Sequence, residues 1–254
     1  MPTPLIIGHR GASAVAPENT MAAFREAIAA GSDGIEFDVR LTRDGLPVVI
    51  HDNSLVRTAG VSDRVADLTW SELEGIDVGS RFAVTRKLAP GSFATETVPS
   101  LEQLFALFEA NDLILYLEMK CDSPSERVLL AEACCRLINE YSLKPRVIIE
   151  CFDLPALEVV KSIDSEIKTA ALFQPALTTP WTVQWIINQA TAVQASALAL
   201  HYRLVRKSLV EQAKDIGLLV AVWTVDDPAW VYRAKSIGID ALITNNPAAM
   251  LAGR

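Results

Sequence analysis

Two carboxylates and a histidine occur in a short stretch whose pattern is that of a β-hairpin. Residues 34–52 read GIEFDVRLTRDGLPVVIHD, in which apolar and polar side chains alternate on both sides of an Asp-Gly pair. Alternation with a period of two is typical of a β-strand, and Asp-Gly is typical of a two-residue hairpin turn. Such a turn would pair Asp38 with His51. Cross-strand partners point to the same face of a sheet, so we expect Glu36, Asp38 and His51 to converge. Burying these groups is unfavourable unless something binds there, and the hairpin therefore predicts a metal-assisted active site.

A third acid, Glu118, stands near the end of another candidate strand. With Glu36 and Asp38 it would form a ligand set made of oxygen atoms alone. Such a set suits one hard divalent cation, Mg²⁺ or Ca²⁺, better than zinc, which prefers nitrogen and sulfur. The alternative is that each acid forms an ion pair at a strand end. A single acid favours that alternative, whereas Glu-x-Asp facing a histidine favours the metal site.

Further groups suited to phosphate chemistry follow candidate strands. His9 and His51 could transfer protons near neutral pH. Arg10 and Lys120 could bind an anion, although either could instead form a salt bridge with the acids. Trp223 ends an apolar strand and could line a substrate pocket or belong to the core.

The elements that would position these groups alternate along the chain. Helix candidates cover 20–30, 100–110, 125–141, 154–163, 180–190, 205–216, 228–237 and 246–252. Strand candidates cover 5–9, 34–42, 46–51, 113–119, 146–151, 167–172, 194–200, 218–224 and 240–243. If 46–51 is only the return arm of the hairpin, eight strand–helix units remain, which predicts a (β/α)8 TIM barrel, with a doubly wound sheet as the alternative. In a barrel the active site lies at the C-terminal ends of the strands, where the polar residues occur.

Residues 53–99 fit no strand–helix unit, so we predict an insertion after the hairpin. Residues 69–72 have capping-box spacing and predict one short helix. Residues 84–97 lack periodicity and predict a loop. A segment of this length above a barrel mouth favours a lid or side module within a single catalytic domain, residues 1–254.

Composition excludes several classes of partner. The chain has 254 residues and a net charge of −8, which argues against nucleic acid and anionic membrane surfaces. Its apolar runs are too short for a signal peptide or for stable membrane insertion, so we expect a cytoplasmic protein. The four cysteines have no metal-ligand spacing and are expected to be reduced thiols.

Several motifs, taken in order, resemble the glycerophosphodiester phosphodiesterase family. They are His9-Arg10-Gly11, Pro17-Glu18-Asn19-Thr20, Glu36-Phe37-Asp38-Val39, Val48-Val49-Ile50-His51-Asp52, Arg57-Thr58, Asp67-Leu68-Thr69, Leu117-Glu118-Met119-Lys120, Phe152-Asp153 and Val222-Trp223-Thr224-Val225-Asp226. Two positions depart from the family pattern. Cys151 stands where the family often has serine, and Asn245 where it usually has aspartate.

The resemblance implies a (β/α)8 barrel with an insertion and the hydrolysis of a glycerophosphodiester to glycerol 3-phosphate and an alcohol. It implies metal ligands Glu36, Asp38 and Glu118, acid–base residues His9 and His51, phosphate-binding Arg10 and Lys120, and Trp223 against the glycerol. Either water or the glycerol 2-hydroxyl could be the nucleophile, and either histidine could be the acid.

Two other functions remain open at this stage. A phospholipase D-like relative acting on lysophospholipids or sphingomyelin would need an apolar entrance, for which the insertion offers Leu68, Trp70, Phe82 and Phe93. A non-catalytic phosphoester-binding barrel would need none of the acid–base residues. The oligomeric state is open as well.

Overall fold

The computed structural model describes residues 2–176 and 182–254, and within them eight parallel strands close into a barrel. The order around the barrel is β1, β2, β4, β5, β6, β7, β8, β9 and back to β1, while β3 pairs antiparallel with β2. The strands are β1 (Leu5–His9), β2 (Gly34–Leu41), β3 (Pro47–Val49), β4 (Ile114–Met119), β5 (Val147–Cys151), β6 (Lys168–Phe173), β7 (Ala197–His201), β8 (Leu219–Trp223) and β9 (Ala241–Thr244). The predicted (β/α)8 barrel is confirmed, and the doubly wound alternative is wrong because β1 pairs with β2 and closes the sheet.

With one exception in the insertion, helices lie at the places that the sequence predicts. They are α1 (Met21–Ala29), α2 (Trp70–Leu73), α3 (Ser80–Thr85), α4 (Leu101–Phe108), α5 (Pro124–Glu140), α6 (Leu154–Ile163), α7 (Val183–Ala192), α8 (Lys207–Asp215), α9 (Ala229–Ile237) and α10 (Pro247–Ala252). Residues 180–181 of the candidate helix 180–190 lie outside the described residues, and α7 itself begins after the cap of Thr182.

Strand alternation separates two buried layers and thereby positions the acids. On β2, Phe37 points outward, packs edge to face on Phe24 at 6.3 Å, and stacks on Phe108 at 6.5 Å between ring centroids. Glu36 and Asp38, on either side of Phe37 in the strand, therefore point into the barrel. Apolar packing of the outer face is thus what directs both carboxylates to the interior.

The hairpin turn is longer than the sequence suggests. The amide of Thr42 donates to the carbonyl of Leu46 at 3.0 Å, which leaves Arg43, Asp44 and Gly45 as a three-residue loop. Gly45 has φ +78°, the left-handed conformation that such loops place at their last residue. The predicted two-residue turn is therefore wrong.

The extra loop residue shifts the strand register by one. Val39 pairs with Val49, and the amide of Ile50 donates to the carbonyl of Asp38 at 2.9 Å. Ile50 rather than His51 consequently lies opposite Asp38, so the predicted cross-strand pair is wrong. His51 reaches the barrel mouth by another route, because β3 ends at Val49 and the chain turns there.

Residues 53–99 form the insertion, which has a small core of its own. That core consists of Val48, Ile50, Leu55, Val65, Leu73, Val78 and Val98. The capping box is confirmed, since the Thr69 amide donates to the Glu72 carboxylate at 2.8 Å at the start of α2. Helix α3 was not predicted. It has six residues and Gly79 at its cap position, and the Asp77 side chain, two residues earlier, accepts from the Gly79 and Ser80 amides at 2.8 Å.

The first helix also starts differently from the prediction. Thr20 is its N-cap and accepts from the Ala23 amide at 3.3 Å. Asn19, which would be the cap of a helix starting at residue 20, instead donates through Nδ2 to Asp38 at 2.8 Å. Asn19 thus supports the site rather than the helix.

Candidate active site

A pocket of about 120 Å³ opens at the C-terminal ends of the barrel strands. Seven of the eight residues singled out from the sequence line it: His9, Arg10, Glu36, His51, Glu118, Lys120 and Trp223. The eighth, Asp38, is fully buried and contacts Arg10 and Lys120. The structure therefore brings the predicted set together at one site.

Three buried glutamates converge in this pocket. Glu36, Glu118 and Glu150 each offer a carboxylate oxygen that lies within 4.8 Å of the other two. Register explains the convergence, because Glu118 on β4 is beside Glu150 on β5 and all these side chains point inward. Glu150 Oε2 is buried and has no hydrogen-bond partner among the described residues. An orphaned carboxylate oxygen beside two others fits a hard divalent cation.

Asp38 lies between the two positive side chains. Its oxygens are 3.0 Å from Lys120 Nζ and 3.1 Å from Arg10 Nε. Burial alone would raise the pKa of Asp38, but Lys120 and Arg10 hold this pKa below its ordinary value. The expectation that Asp38 is a metal ligand remains a prediction, and its contacts in the structure are those of a counterion to Arg10 and Lys120.

The pKa values of the three glutamates are raised instead, although Lys120 Nζ lies 2.5 Å from Glu118 Oε1 and opposes the change there. Burial and the negative charge of Asp38 raise the pKa of Glu118 to about 7. Burial likewise raises the pKa of Glu36 and Glu150 well above the usual range, with neighbouring carboxylates adding to the effect. Positive charge among these three groups would offset their mutual repulsion, which is the second reason that they fit a cation.

His51 is oriented by the residue that follows it. Its Nδ1 is 2.6 Å from Asp52 Oδ1, and its carbonyl accepts from Arg40 Nε at 2.7 Å. Burial lowers the pKa of His51, and the charges of Arg10 and Lys120 lower it further. The charge of Asp38 and the hydrogen bond with Asp52 oppose that change. With Nδ1 engaged by the carboxylate, Nε2 is the nitrogen available for proton transfer.

His9 is held by a neutral amide instead. Its Nδ1 lies 2.7 Å from Asn245 Oδ1, and Asn245 Nδ2 donates to Asp226 at 2.7 Å. His9 Nε2 is 3.9 Å from Glu36. Burial, reinforced by the charge of Arg10, lowers the pKa of His9 to about 4. The departure at position 245 is therefore in contact with a proposed catalytic group, whereas the cap of α10 is the next residue, Asn246.

A network of ion pairs connects Arg10 with the Asp52 carboxylate that holds His51. Arg57 contacts Asp52 through Nε at 2.6 Å and Glu18 through both terminal nitrogens at 2.6 and 2.7 Å. Glu18 in turn accepts from Arg10 at 2.8 Å. The network runs from His51 to Arg10 and restrains the orientation of both side chains.

Aromatic rings form the remaining wall. Trp223 packs edge to face on Phe152 at 5.6 Å and on His201 at 5.1 Å, and its Nε1 donates to the Ala199 carbonyl at 3.2 Å. His201 contributes to this wall as well. The Trp223 ring is consequently fixed beside the pocket.

Two kinds of site residue were missed from sequence. Glu150 interrupts the apolar run RVIIEC near the end of a candidate strand. An acid at an inward-pointing position there could have been recognised as a candidate site residue. Asp52, Glu18 and Arg57 occur in the motifs quoted above, but no local pattern indicates that they contact one another.

Among the described residues, no helix is long and apolar enough to cross a membrane.

Comparisons with known proteins give consistent results. Residues 9–249 match the family described as "Glycerophosphoryl diester phosphodiesterase family". A glycerophosphodiester phosphodiesterase of Caldanaerobacter subterraneus subsp. tengcongensis is 36% identical, over 97% of this chain and 96% of that protein. A Silicibacter pomeroyi crystal structure, provisionally named a glycerophosphoryl diester phosphodiesterase, has TM-score 0.88 and 28% identity over 100% of this chain and 94% of that one. An Oleispira antarctica phosphodiesterase, solved with its product sn-glycerol-3-phosphate, shares the fold at TM-score 0.86 and 24% identity, over 99% and 96% of the two chains.

Proposed function

This chain belongs to the glycerophosphoryl diester phosphodiesterase family, and we propose on that premise that it hydrolyses glycerophosphodiesters to sn-glycerol 3-phosphate and an alcohol. The observation that carries the proposal is the pocket in which two histidines, two positive side chains and buried carboxylates meet. The barrel and its insertion would act as one catalytic unit, because residues of both contribute to the ion-pair network around the pocket.

The cation site would consist of Glu36, Glu118 and a third carboxylate. The convergence of oxygens and the orphaned Oε2 favour Glu150, whereas the Glu-x-Asp pattern favours Asp38. Bound there, Mg²⁺ or Ca²⁺ would supply positive charge that offsets negative charge on the phosphate oxygens. Calorimetric titration of Mg²⁺ and Ca²⁺ into the Glu150→Gln and Asp38→Asn variants distinguishes the two, because only loss of a ligand should greatly weaken binding.

Arg10 and Lys120 would hold the phosphate. Each lies at the pocket with its charge directed to Asp38, and both are mostly buried, so a phosphate would meet guanidinium and ammonium groups already in position. Preorganised positive charge of this kind stabilises the extra negative charge that develops on phosphorus oxygens during displacement. Their shared counterion keeps this charge in place before substrate binds.

His9 and His51 would move the protons. Hydrolysis requires one group to take a proton from the attacking hydroxyl and another to give one to the leaving oxygen. In both rings Nδ1 is engaged by a side-chain oxygen, which leaves Nε2 of each ring for that task. The arrangement serves attack by water or by the glycerol 2-hydroxyl.

A glycerol 3-phosphate release assay on glycerophosphocholine tests the proposal. Activity with Mg²⁺ or Ca²⁺ and its loss in excess chelator are expected. The folded His51→Ala and Glu36→Ala variants should lack turnover, and near-normal activity in either would contradict the assignment of the site. Binding of the diester without turnover would instead support the non-catalytic barrel.

The structure gives little support to hydrolysis of lysophospholipids. Leu68 and Trp70 pack against the core of the insertion, and Phe82 and Phe93 pack edge to face on each other at 5.7 Å. These residues serve the folding of the insertion and do not form an apolar stripe to the pocket. Water-soluble diesters are therefore the proposed substrates, and a lysophosphatidylcholine comparison in the same assay tests the distinction.

A further inference from the structure

We infer that the groove between the insertion and the β1–α1 loop is a subsite for the leaving alcohol, and that it selects alcohols bearing a carboxylate or phosphate. This inference rests on the proposed function, since it names the class of diester that the same site would prefer. The observations that carry it are the location of the groove, its connections to the catalytic groups and its uncompensated positive charge.

The groove is a separate cavity at this face of the molecule. Its volume is about 270 Å³, more than twice that of the catalytic pocket. Ser13 and Glu18 of the β1–α1 loop line one side. The insertion supplies the other side through Arg57, Arg81 and Arg86, among others. The two walls come from the barrel and the insertion, so this space exists because of the insertion.

Each wall is connected to one histidine through a single intermediate residue. Ser13 donates to Asn245 at 2.9 Å, the residue that holds His9. Arg57 contacts Asp52, the residue that holds His51. The leaving oxygen must lie within hydrogen-bond reach of the histidine that protonates it. Ser13 and Arg57 therefore connect the groove with the residues that orient both histidines, and the groove is assigned to the alcohol that leaves beside one of them.

The groove has more positive charge than its own acids compensate. Glu18 and Asp52 already pair with Arg57, and Glu18 also accepts from Arg10. Arg81 and Arg86 are exposed, and within the part of the chain that the structure describes neither side chain forms an ion pair. Arg86 lies over the Phe82 ring at 5.4 Å, which limits its movement.

These charges determine which alcohols fit. Guanidinium groups bind carboxylate and phosphate through paired hydrogen bonds. A cationic head group would need an available acid, but both Glu18 oxygens are occupied by Arg10 and Arg57. The groove therefore favours an anionic alcohol over a quaternary ammonium alcohol or a neutral one. In a chain of net charge −8, this local positive charge would also attract such a substrate.

A matched pair of substrates tests the inference. In one diester the leaving alcohol is glycolate, and in the other it is ethylene glycol, which is similar in size but uncharged. Initial rates of glycerol 3-phosphate release in the presence of Mg²⁺ or Ca²⁺ give kcat/KM for both. We expect the wild-type protein to prefer the glycolate diester.

The Arg81→Gln/Arg86→Gln double variant should lose about tenfold in kcat/KM for the glycolate diester and less than twofold for the neutral diester. The Arg81→Lys/Arg86→Lys variant should recover part of the preference, because it restores charge without the guanidinium fork. A control with the same charge change on outer helices α5 and α9, Arg136→Gln/Lys235→Gln, should behave as wild type. Circular dichroism checks that each variant folds.

The possible failures are distinguishable. Turnover of both diesters without a preference, or equal losses for both in the double variant, would overturn the subsite and leave the proposed function standing. An absence of turnover of either diester by the wild-type protein would overturn the proposed function, and the inference with it.

Discussion

Replacing Asp52 with asparagine should slow turnover by removing the charge that orients His51. Asparagine keeps the size of the side chain and can still accept the Nδ1–H hydrogen bond, so the geometry is retained. Arg57 keeps its two bonds to Glu18 and remains ordered. What disappears is the attraction between a carboxylate and the imidazolium that forms during proton transfer.

The size of the effect follows from the exposure of the pair. A hydrogen bond to a charged group contributes about 1.5–3 kcal/mol. The His51 and Asp52 side chains are 33% and 26% exposed, so solvent screening favours the lower end of that range. About 1.5 kcal/mol in the transition state corresponds to a roughly tenfold lower kcat, because each 1.36 kcal/mol is a factor of ten.

Steady-state kinetics over a range of pH measure this change. The hydrogen bond with the Asp52 carboxylate raises the pKa of His51, so replacing that carboxylate with a neutral acceptor should move the limb of the kcat profile that belongs to His51 to lower pH. The control is Asp63→Asn, an equivalent charge change at an exposed acid of the insertion. A kcat within twofold of wild type and an unmoved profile would refute the proposed role of Asp52.

Three further outcomes are expected. Asp38→Asn should lower the free energy of unfolding by about 3 kcal/mol in urea titrations with chelator present, because two buried cations lose their counterion; a change below 1 kcal/mol would contradict this. Asn245→Ala should lower kcat about fivefold with little change in KM, since His9 loses a neutral hydrogen bond of about 1 kcal/mol, and Asn245→Asp should retain activity because it also accepts that bond. Burial would raise the pKa of Glu18, but Arg57 lowers it overall, so the stability from this pair is present above the usual glutamate pKa of about 4.3 and is lost as pH falls. Wild-type protein should then lose more stability between pH 5 and pH 3 than Glu18→Gln, and parallel losses would contradict the assignment.

Local patterns were sufficient for most of the architecture. Short apolar runs and amphipathic stretches predicted every barrel strand and the order of the surrounding helices, because strands buried on both faces and helices buried on one face show this in the residues themselves. The same parity directed Glu36 and Glu118 to the interior. The insertion was recognised as a segment that fits no strand–helix unit, although α3 within it was not predicted.

The hairpin shows where local reasoning stops. An Asp-Gly pair is compatible with loops of two or three residues, and the choice decides the register. In the structure Asp44 accepts from Thr42 Oγ1 at 2.6 Å and from the Trp70 amide at 3.1 Å, so the insertion helps to hold the longer loop. Contacts from a distant segment thus select between turns that the sequence allows equally.

The motifs by themselves determined which residues could do phosphate chemistry and at which end of a barrel they would lie. Only the tertiary structure decided how the charges are shared: Asp38 with Arg10 and Lys120, and Glu150 with the other two glutamates. Parity directs a side chain inward, whereas its partner depends on which strands become neighbours when the barrel closes. Those pairings join residues far apart in the chain, and they therefore exist only in the folded protein.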